Sequence, residues 1–394
     1  MDSAELEGFN DKVACGVLWP LFHYLLDRVP LGCSDWPVYK ALNQRYADTI
    51  VESYRHGDMI WIHDYQLFLV PGMIRKRLPN AKIGFFLHIP FPSSEVFRQL
   101  PWRNDVLEGL LGADLVGFHQ FSYLRHFATA VLRILGLEAD VNKVGFQGRQ
   151  VNLGCFPIGI DAQLYANKAR DPNIIQLSQL YRRTHAGTKL IVCVDRLDYT
   201  KGILHHFLAL EFLLEHHPEY RGKLHLIQVA TMSKGEASTY GEFQREVHEI
   251  VGRIDGLYST PSWSPITYIN RCLSTEDICA LYLACDVMLV TPIRDGMNLV
   301  SKEFVACRND LTGILVLSEF AGAVSELGEA LHVNPFDIAS TADTLKQALE
   351  MEPGECARRM ASMRARVLDH DVTVWVEEFT TCLAKSTQGP PVES

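Results

Sequence analysis

Met59-Ile60-Trp61-Ile62, closed by His63-Asp64, and then Ile83-Gly84-Phe85-Phe86-Leu87, closed by His88-Ile89-Pro90, is the stretch on which the fold turns. Each run is apolar at consecutive positions, as a strand buried on both faces must be, and each ends abruptly in polar residues. Between them, 67–77 reads as an amphipathic helix. The rhythm continues with helical segments over 94–100 and 104–111, a strand Leu115-Val116-Gly117-Phe118 and a helix over 122–135. The second half repeats it. Strands are predicted over 189–194, 224–230, 287–291 and 314–317, and helices over 204–216, 240–251, 275–284 and 299–307. Strand–helix alternation throughout predicts an α/β protein with parallel sheets. No short-period repeat or low-complexity tract interrupts it.

Working outward, 394 residues point to two domains of ordinary size, and 47% apolar with 21% charged residues is the composition of a globular protein. The net charge of −10, from 37 basic and 47 acidic residues, argues against a nucleic-acid binder. It leaves room for a local basic pocket. Ten cysteines (Cys15, Cys33, Cys155, Cys193, Cys272, Cys279, Cys285, Cys307, Cys356 and Cys382) show no CxxC spacing, so buried free thiols in a reducing compartment are expected, with no metal site. The acidic start Met1-Asp2-Ser3-Ala4-Glu5 lacks a signal-peptide core. No apolar stretch approaches the ~20 residues of a membrane span. A cytoplasmic protein without membrane contact is expected.

The domain boundary is placed where Phe156-Pro157-Ile158-Gly159-Ile160 gives way to a polar segment. Two α/β domains are expected, 1–165 and 166–370, facing each other across a deep cleft. A helix over 371–386 would pack back on the first domain, and 387–394, polar with two prolines, would be disordered. Ligands in such folds bind at the carboxyl ends of the strands, so the polar residues there are the candidates.

Four clusters qualify: His63-Asp64; His88-Ile89-Pro90-Phe91-Pro92; Asp195-Arg196-Leu197-Asp198-Tyr199-Thr200-Lys201-Gly202; and Pro292-Ile293-Arg294-Asp295-Gly296-Met297-Asn298-Leu299. Arg196 and Lys201, five apart on a strand-to-helix turn, can reach one phosphorylated group, aided by the dipole of the next helix. Asp295 and Glu303, eight apart, can hold ligand hydroxyls, and the corner Gly296-Met297-Asn298 offers backbone N–H groups. Cations plus carboxylates suit a sugar joined to a diphosphate. The alternatives are structural: Arg196 and Lys201 paired with Asp195, Asp198 or Glu303, and His88 a core histidine bonded to backbone. The constrained Pro90/Pro92 loop favours a functional His88. GxSxG, Walker A and HExxH patterns are absent.

These motifs, with Val17-Leu18-Trp19-Pro20-Leu21-Phe22-His23-Tyr24, Trp61-Ile62-His63-Asp64-Tyr65-Gln66-Leu67, Thr291 through Glu303 and Val316-Leu317-Ser318-Glu319-Phe320-Ala321-Gly322, resemble the trehalose-6-phosphate synthases of glycosyltransferase family 20. The resemblance runs from about Trp19 to Phe379. It implies two facing Rossmann-like domains (the GT-B architecture) and retaining transfer of glucose from UDP-glucose to glucose 6-phosphate, giving trehalose 6-phosphate and UDP. By the same resemblance Asp64, Trp19 and Lys234 bind the acceptor, and His88 contacts the donor glucose near the reacting centre. Arg196 and Lys201 hold the diphosphate, and Asp295 holds the glucose hydroxyls. Leu273, Gly296, Met297, Asn298, Leu299, Val300, Ser301 and Lys302 surround the donor, with Glu303 on the ribose. No metal or cofactor is implied, since Arg196 and Lys201 would neutralise the leaving group. A homo-oligomer, or a complex with a phosphatase subunit, is implied as the partner.

Three departures stand out. The chain starts downstream of the family's first strand, of its Gly-rich loop and of an arginine just before that loop. Asn10 stands where the family has tyrosine nine residues before Trp19, and Lys234 stands where it has arginine, which loses the bidentate fork. The expectation is therefore either a fragment, whose sheet lacks a strand, or a shortened regulatory, non-catalytic subunit. A synthase using another acceptor, such as glycerol 3-phosphate, is a third reading.

Overall fold

Each apolar run read as a strand is one in the computed structural model, which describes residues 3–140, 142–231 and 241–386. In the first half these are β1 (Met59–His63), β2 (Lys82–Phe86) and β3 (Leu115–Phe118). Three more strands follow: β4 (Ala139–Asp140), β5 (Lys143–Phe146) and β6 (Arg149–Cys155). They form one sheet in the order β1-β2-β3-β6-β5-β4. β1, β2, β3 and β6 run parallel, and β5 and β4 are antiparallel additions. β6 has no continuous apolar run because Val151 and Leu153 alone turn to the core while their neighbours stay half-exposed. The helices Glu7–Leu18, which winds as a π-helix, and Trp36–Ser53 were likewise not read from the sequence.

The chain divides into two units, Met1–Ile158 with Trp375–Ser394, and Gly159–Val374. The break falls at Ile158 rather than at 165, because the strip just past it is already bonded to the returning chain: the Val372 N–H donates to the Ile160 carbonyl at 3.0 Å. The last helix, Val372–Lys385, passes from the second unit into the first. There its Phe379 lies on β2 and β3 at two glycines. A Cβ on Gly84 would meet the Phe379 ring at 2.7 Å, and one on Gly117 would meet it at 2.8 Å. Trp61 stacks on the same ring, centroids 4.4 Å apart and planes within 9°. At the opposite end of this sheet, buried Arg75 pairs with Asp114 at 2.7 Å, and the same carboxylate oxygen accepts the Ile83 N–H.

The second unit holds an all-parallel sheet, β12-β11-β10-β7-β8-β9. Its strands are β7 (Lys189–Arg196), β8 (Leu224–Thr231), β9 (Ile266–Ile269), β10 (Val287–Val290), β11 (Ile314–Ser318) and β12 (Leu331–Val333). β10 and β11 are buried at every position, which requires helices on both faces. The cysteines depart from expectation. All are free, but Cys155 and Cys272 are exposed, and only Cys193, Cys279, Cys285 and Cys307 are buried. Among the described residues, no helix is long and apolar enough to cross a membrane. Lys234 and the tail 387–394 lie outside the described residues.

Candidate active site

In the first unit the polar groups gather where β1 and β2 end. His63 is the last residue of β1 and pairs in register with Phe86 of β2, which brings the residues just beyond side by side. Asp64 is held at φ 71°, ψ 170°, a backbone state that costs a non-glycine residue about 1–3 kcal/mol and marks functional corners. Three hydrogen bonds maintain it. The Asp64 N–H donates to the Phe86 carbonyl at 2.8 Å, and the carboxylate accepts the N–H of His88 at 3.2 Å and that of Tyr65. Burial pushes the Asp64 carboxyl up to about 6, against those two N–H groups, which pull it down.

The His88 imidazole is driven down to about 4, first by burial and then by His63. His63 Nδ1 lies 3.0 Å from His88 Nε2. His63 is also pushed down, by burial, so both rings are neutral near pH 7. Trp19 is 9% exposed and packs against Tyr65, centroids 5.8 Å apart, which sets it one residue from Asp64. The structure thus brings together Trp19, Asp64 and His88, as read from the sequence, and adds His63. From the sequence His63 was a member of the candidate cluster His63-Asp64 with no role of its own.

In the second unit the site is built where β7 and β10 end. After β7 the chain makes a short turn over Tyr199–Lys201, capped by Asp198, whose Oδ1 accepts the N–H and the hydroxyl of Thr200. Gly202 follows at φ 72° and opens the helix Ile203–His216. A Cβ there would stand 2.0 Å from the Thr291 carbonyl, so the turn can lie against the end of β10 only with glycine. Lys201 Nζ donates to Asp295 Oδ2 at 2.6 Å, both side chains being 12% exposed. This carboxylate partner differs from the three considered from sequence. Arg196 is 46% exposed and lies 3.8 Å from Asp198, which was among them.

Asp295 is the hub. Its Oδ1 accepts the Gly296 N–H at 2.9 Å, and its Oδ2 accepts the Asn298 amide at 3.1 Å. Asn298, at φ 73°, caps the helix Leu299–Cys307, its Oδ1 accepting the Ser301 N–H. Gly296 therefore does not offer its N–H to an anion as expected. The free donors of this corner are the first-turn amides of Leu299 and Val300, which have no intrahelical acceptor. The Ser301 hydroxyl donates back to the Asn298 carbonyl. Lys302 is 1% exposed and paired with Glu326. The side chains of Ser301 and Lys302 are occupied by the fold, which leaves their backbone for the place around the donor that the resemblance implies.

Buried Met297 anchors the turn, its carbonyl accepting the Ala323 N–H. Glu303 is clamped by Tyr282 at 2.9 Å and by Tyr165, two residues the sequence did not flag. Burial raises the Glu303 carboxyl while both tyrosines pull it down. Leu273 is half-buried in the loop before the helix Thr275–Ala284, which carries Tyr282. Within β7, Asp195 is raised to about 7, chiefly by burial, and accepts from the side-chain amide of Gln228, whose Oε1 meets His206. Among the described residues, no three His, Cys, Asp or Glu side chains group as a metal site.

Two α/β sheets with their polar side chains at the carboxyl ends of parallel strands define a double Rossmann-like protein. The chain belongs to glycosyltransferase family 20, whose profile matches residues 1–385. It is 41% identical over 392 residues to a bifunctional trehalose-6-phosphate synthase/phosphatase of Thermoproteus tenax, covering 98% of this chain and 54% of that protein. It is 41% identical over 377 residues to the 56 kDa subunit of a UDP-forming α,α-trehalose-phosphate synthase of Saccharomyces cerevisiae, covering 94% of this chain and 75% of that one. The chain thus spans about half the length of the first relative. A structure described as trehalose-6-phosphate from E. coli bound with UDP-2-fluoro glucose superposes with a TM-score of 0.94 at 36% identity, over 98% of this chain and 86% of that one. A UDP-forming α,α-trehalose-phosphate synthase from Burkholderia xenovorans in complex with glucose-6-phosphate gives 0.93 at 34% identity, over 97% and 85%.

Proposed function

We propose that this chain transfers glucose from UDP-glucose to glucose 6-phosphate with retention, forming trehalose 6-phosphate and UDP. The observation that carries the reading is the corner of the second unit where Lys201 meets Asp295 beside two helix N-termini, Ile203–His216 and Leu299–Cys307. A cation and free first-turn amides suit a diphosphate, and a carboxylate pre-aligned by Gly296 and Asn298 suits sugar hydroxyls. Membership of the family, and relatives solved with UDP-2-fluoro glucose and with glucose-6-phosphate, support reading these as UDP and glucose.

Roles follow the residues. Lys201 and the exposed Arg196 neutralise the departing diphosphate. Asp295 holds the donor glucose, and Glu303, fixed by Tyr165 and Tyr282, takes the ribose. In the first unit Asp64, with Trp19 beside it, binds the acceptor sugar, and His88 meets the donor sugar. The acceptor hydroxyl forms the new C–O bond on the face from which the phosphate leaves. The C1–O bond to phosphate breaks with its electron pair, and the hydroxyl proton passes to a phosphate oxygen. Lys234 is assigned to the acceptor phosphate. No metal is needed in this scheme, and the cytoplasm is the proposed compartment. A phosphatase partner is proposed from the bifunctional relative.

UDP release from UDP-glucose, measured with and without glucose 6-phosphate, tests the reading. Release that depends on the acceptor is expected. A folded protein that binds UDP but releases none in either condition would favour the non-catalytic subunit.

A further inference from the structure

The pair His63–His88 has a consequence for the proposed reaction. The two ring centroids lie 5.3 Å apart with their planes 21° from parallel, within an aromatic enclosure. Trp61 lies 4.6 Å from His63, Phe86 lies 4.9 Å from His88, and Trp375 lies 6.2 Å and 6.0 Å from the two. Between two neutral imidazoles only one proton can occupy the N···N line, so one ring donates and the other accepts. That bond occupies Nε2 of His88. Among the described residues, no other protein group bonds either imidazole, so Nδ1 is the nitrogen His88 has left for a ligand. Its main chain is fixed separately, by the N–H bond to Asp64.

We infer that His63 is the positioning residue for His88: through its Nδ1 it grips Nε2 and makes His88 present Nδ1, in a single tautomer, to the donor sugar. The inference rests on the proposed role of His88 at that sugar. It accounts for a histidine at the end of β1 whose ring reaches across to the second residue past β2 instead of to backbone. A ligand-facing imidazole held in one tautomer by a partner at its far nitrogen is a recurring arrangement. The other titratable groups around His88 are Asp64, bonded to its backbone N–H, and His119, with ring centroids 5.5 Å apart. Neither bonds the imidazole.

Two variants separate positioning from packing. His63→Phe keeps a ring against Trp61 but has no hydrogen-bonding atom. His63→Asn loses the ring and keeps an amide close to where Nδ1 stood. His63→Phe is expected to lower kcat by about 10- to 100-fold, with the KM for UDP-glucose changed by no more than about threefold, and His63→Asn to regain most of that loss. Ring ¹⁵N spectra of the full chain give a readout independent of turnover. The wild-type His88 is expected to show one protonated and one unprotonated nitrogen, and the Phe variant an average of the two tautomers. A wild-type His88 already averaged, or a folded His63→Phe protein with unchanged kcat and tautomer, would overturn the inference. If the wild-type protein shows no glucosyl transfer but the tautomer change is present, the transferase reading fails and the positioning of His88 by His63 stands.

Discussion

Replacing Lys201 with methionine removes one charge from the second-unit corner while keeping the length of the side chain. Two effects of different origin are expected. First, the Asp295 carboxylate loses its lysine partner at 2.6 Å and keeps the hydrogen bonds from Gly296 and Asn298. Removing one member of a buried pair costs about 3–5 kcal/mol when nothing else compensates. With both side chains 12% exposed and two donors remaining, about 2 kcal/mol of stability is expected to go. Second, UDP loses a charge-assisted hydrogen bond worth about 1.5–3 kcal/mol, which corresponds to about a 10- to 100-fold weaker Kd.

Thermal unfolding reads the first effect, and titration calorimetry with UDP on the folded variant reads the second. The double variant Lys201→Met/Asp295→Asn separates them. Removing the negative charge that has lost its cation restores stability, while UDP affinity stays low, because the lysine is still absent. A folded Lys201→Met protein binding UDP within about twofold of wild type would refute the assignment of this corner to the diphosphate.

Asp64→Asn tests the strained corner of the first unit. A carboxyl raised from its ordinary 3.8 to about 6 binds its proton more tightly in the native state, so it lowers stability as pH rises through that window. The Asn variant is therefore expected to gain on wild type by about 3 kcal/mol between pH 4 and pH 7 in denaturant titrations. His88, lowered from 6.5 to about 4, gives the opposite slope, but both proteins share it and it cancels in the difference. A pH-independent difference would contradict the burial of Asp64. Phe379→Ala, which empties the space over Gly84 and Gly117, is expected to cost about 3–5 kcal/mol in the same assay. A loss under about 1 kcal/mol would mean that the last helix does not seal that sheet. Arg75→Met leaves the Asp114 carboxylate buried, so a loss of about 3 kcal/mol is expected; an unchanged urea midpoint would argue against that pair.

Continuous apolar runs gave away β1, β2, β3, β7, β8, β10 and β11, because burial on both faces leaves nothing else to read, whereas the parallel edge strands β9 and β12 are short or half-exposed and carry no such run. The antiparallel additions β4 and β5, and β6 beside them, were less legible, since most of their residues are half or fully exposed. The candidate site was legible where it depended on residues at or just past the end of a strand, namely Asp64, His88, Arg196, Lys201 and Asp295. Its internal bonds were not. Lys201 meets Asp295 across 94 positions, a contact made by the pairing of β7 with β10. His63 reaches His88 because β1 and β2 are parallel and in register. Tyr165 and Tyr282 come to Glu303 from two other helices. The burial of Lys302 could not be read from a helix whose pattern was otherwise ordinary. Nor could the strain at Asp64, since a positive φ at a non-glycine residue leaves no mark in the sequence.

The most direct test of the account is the product formed when UDP-glucose and glucose 6-phosphate are incubated with the purified chain, read by proton NMR. The account predicts a disaccharide phosphate with both anomeric protons α, appearing in step with UDP. A β linkage at the transferred glucose, free glucose appearing with UDP in place of the disaccharide, or no product from a folded protein would contradict it.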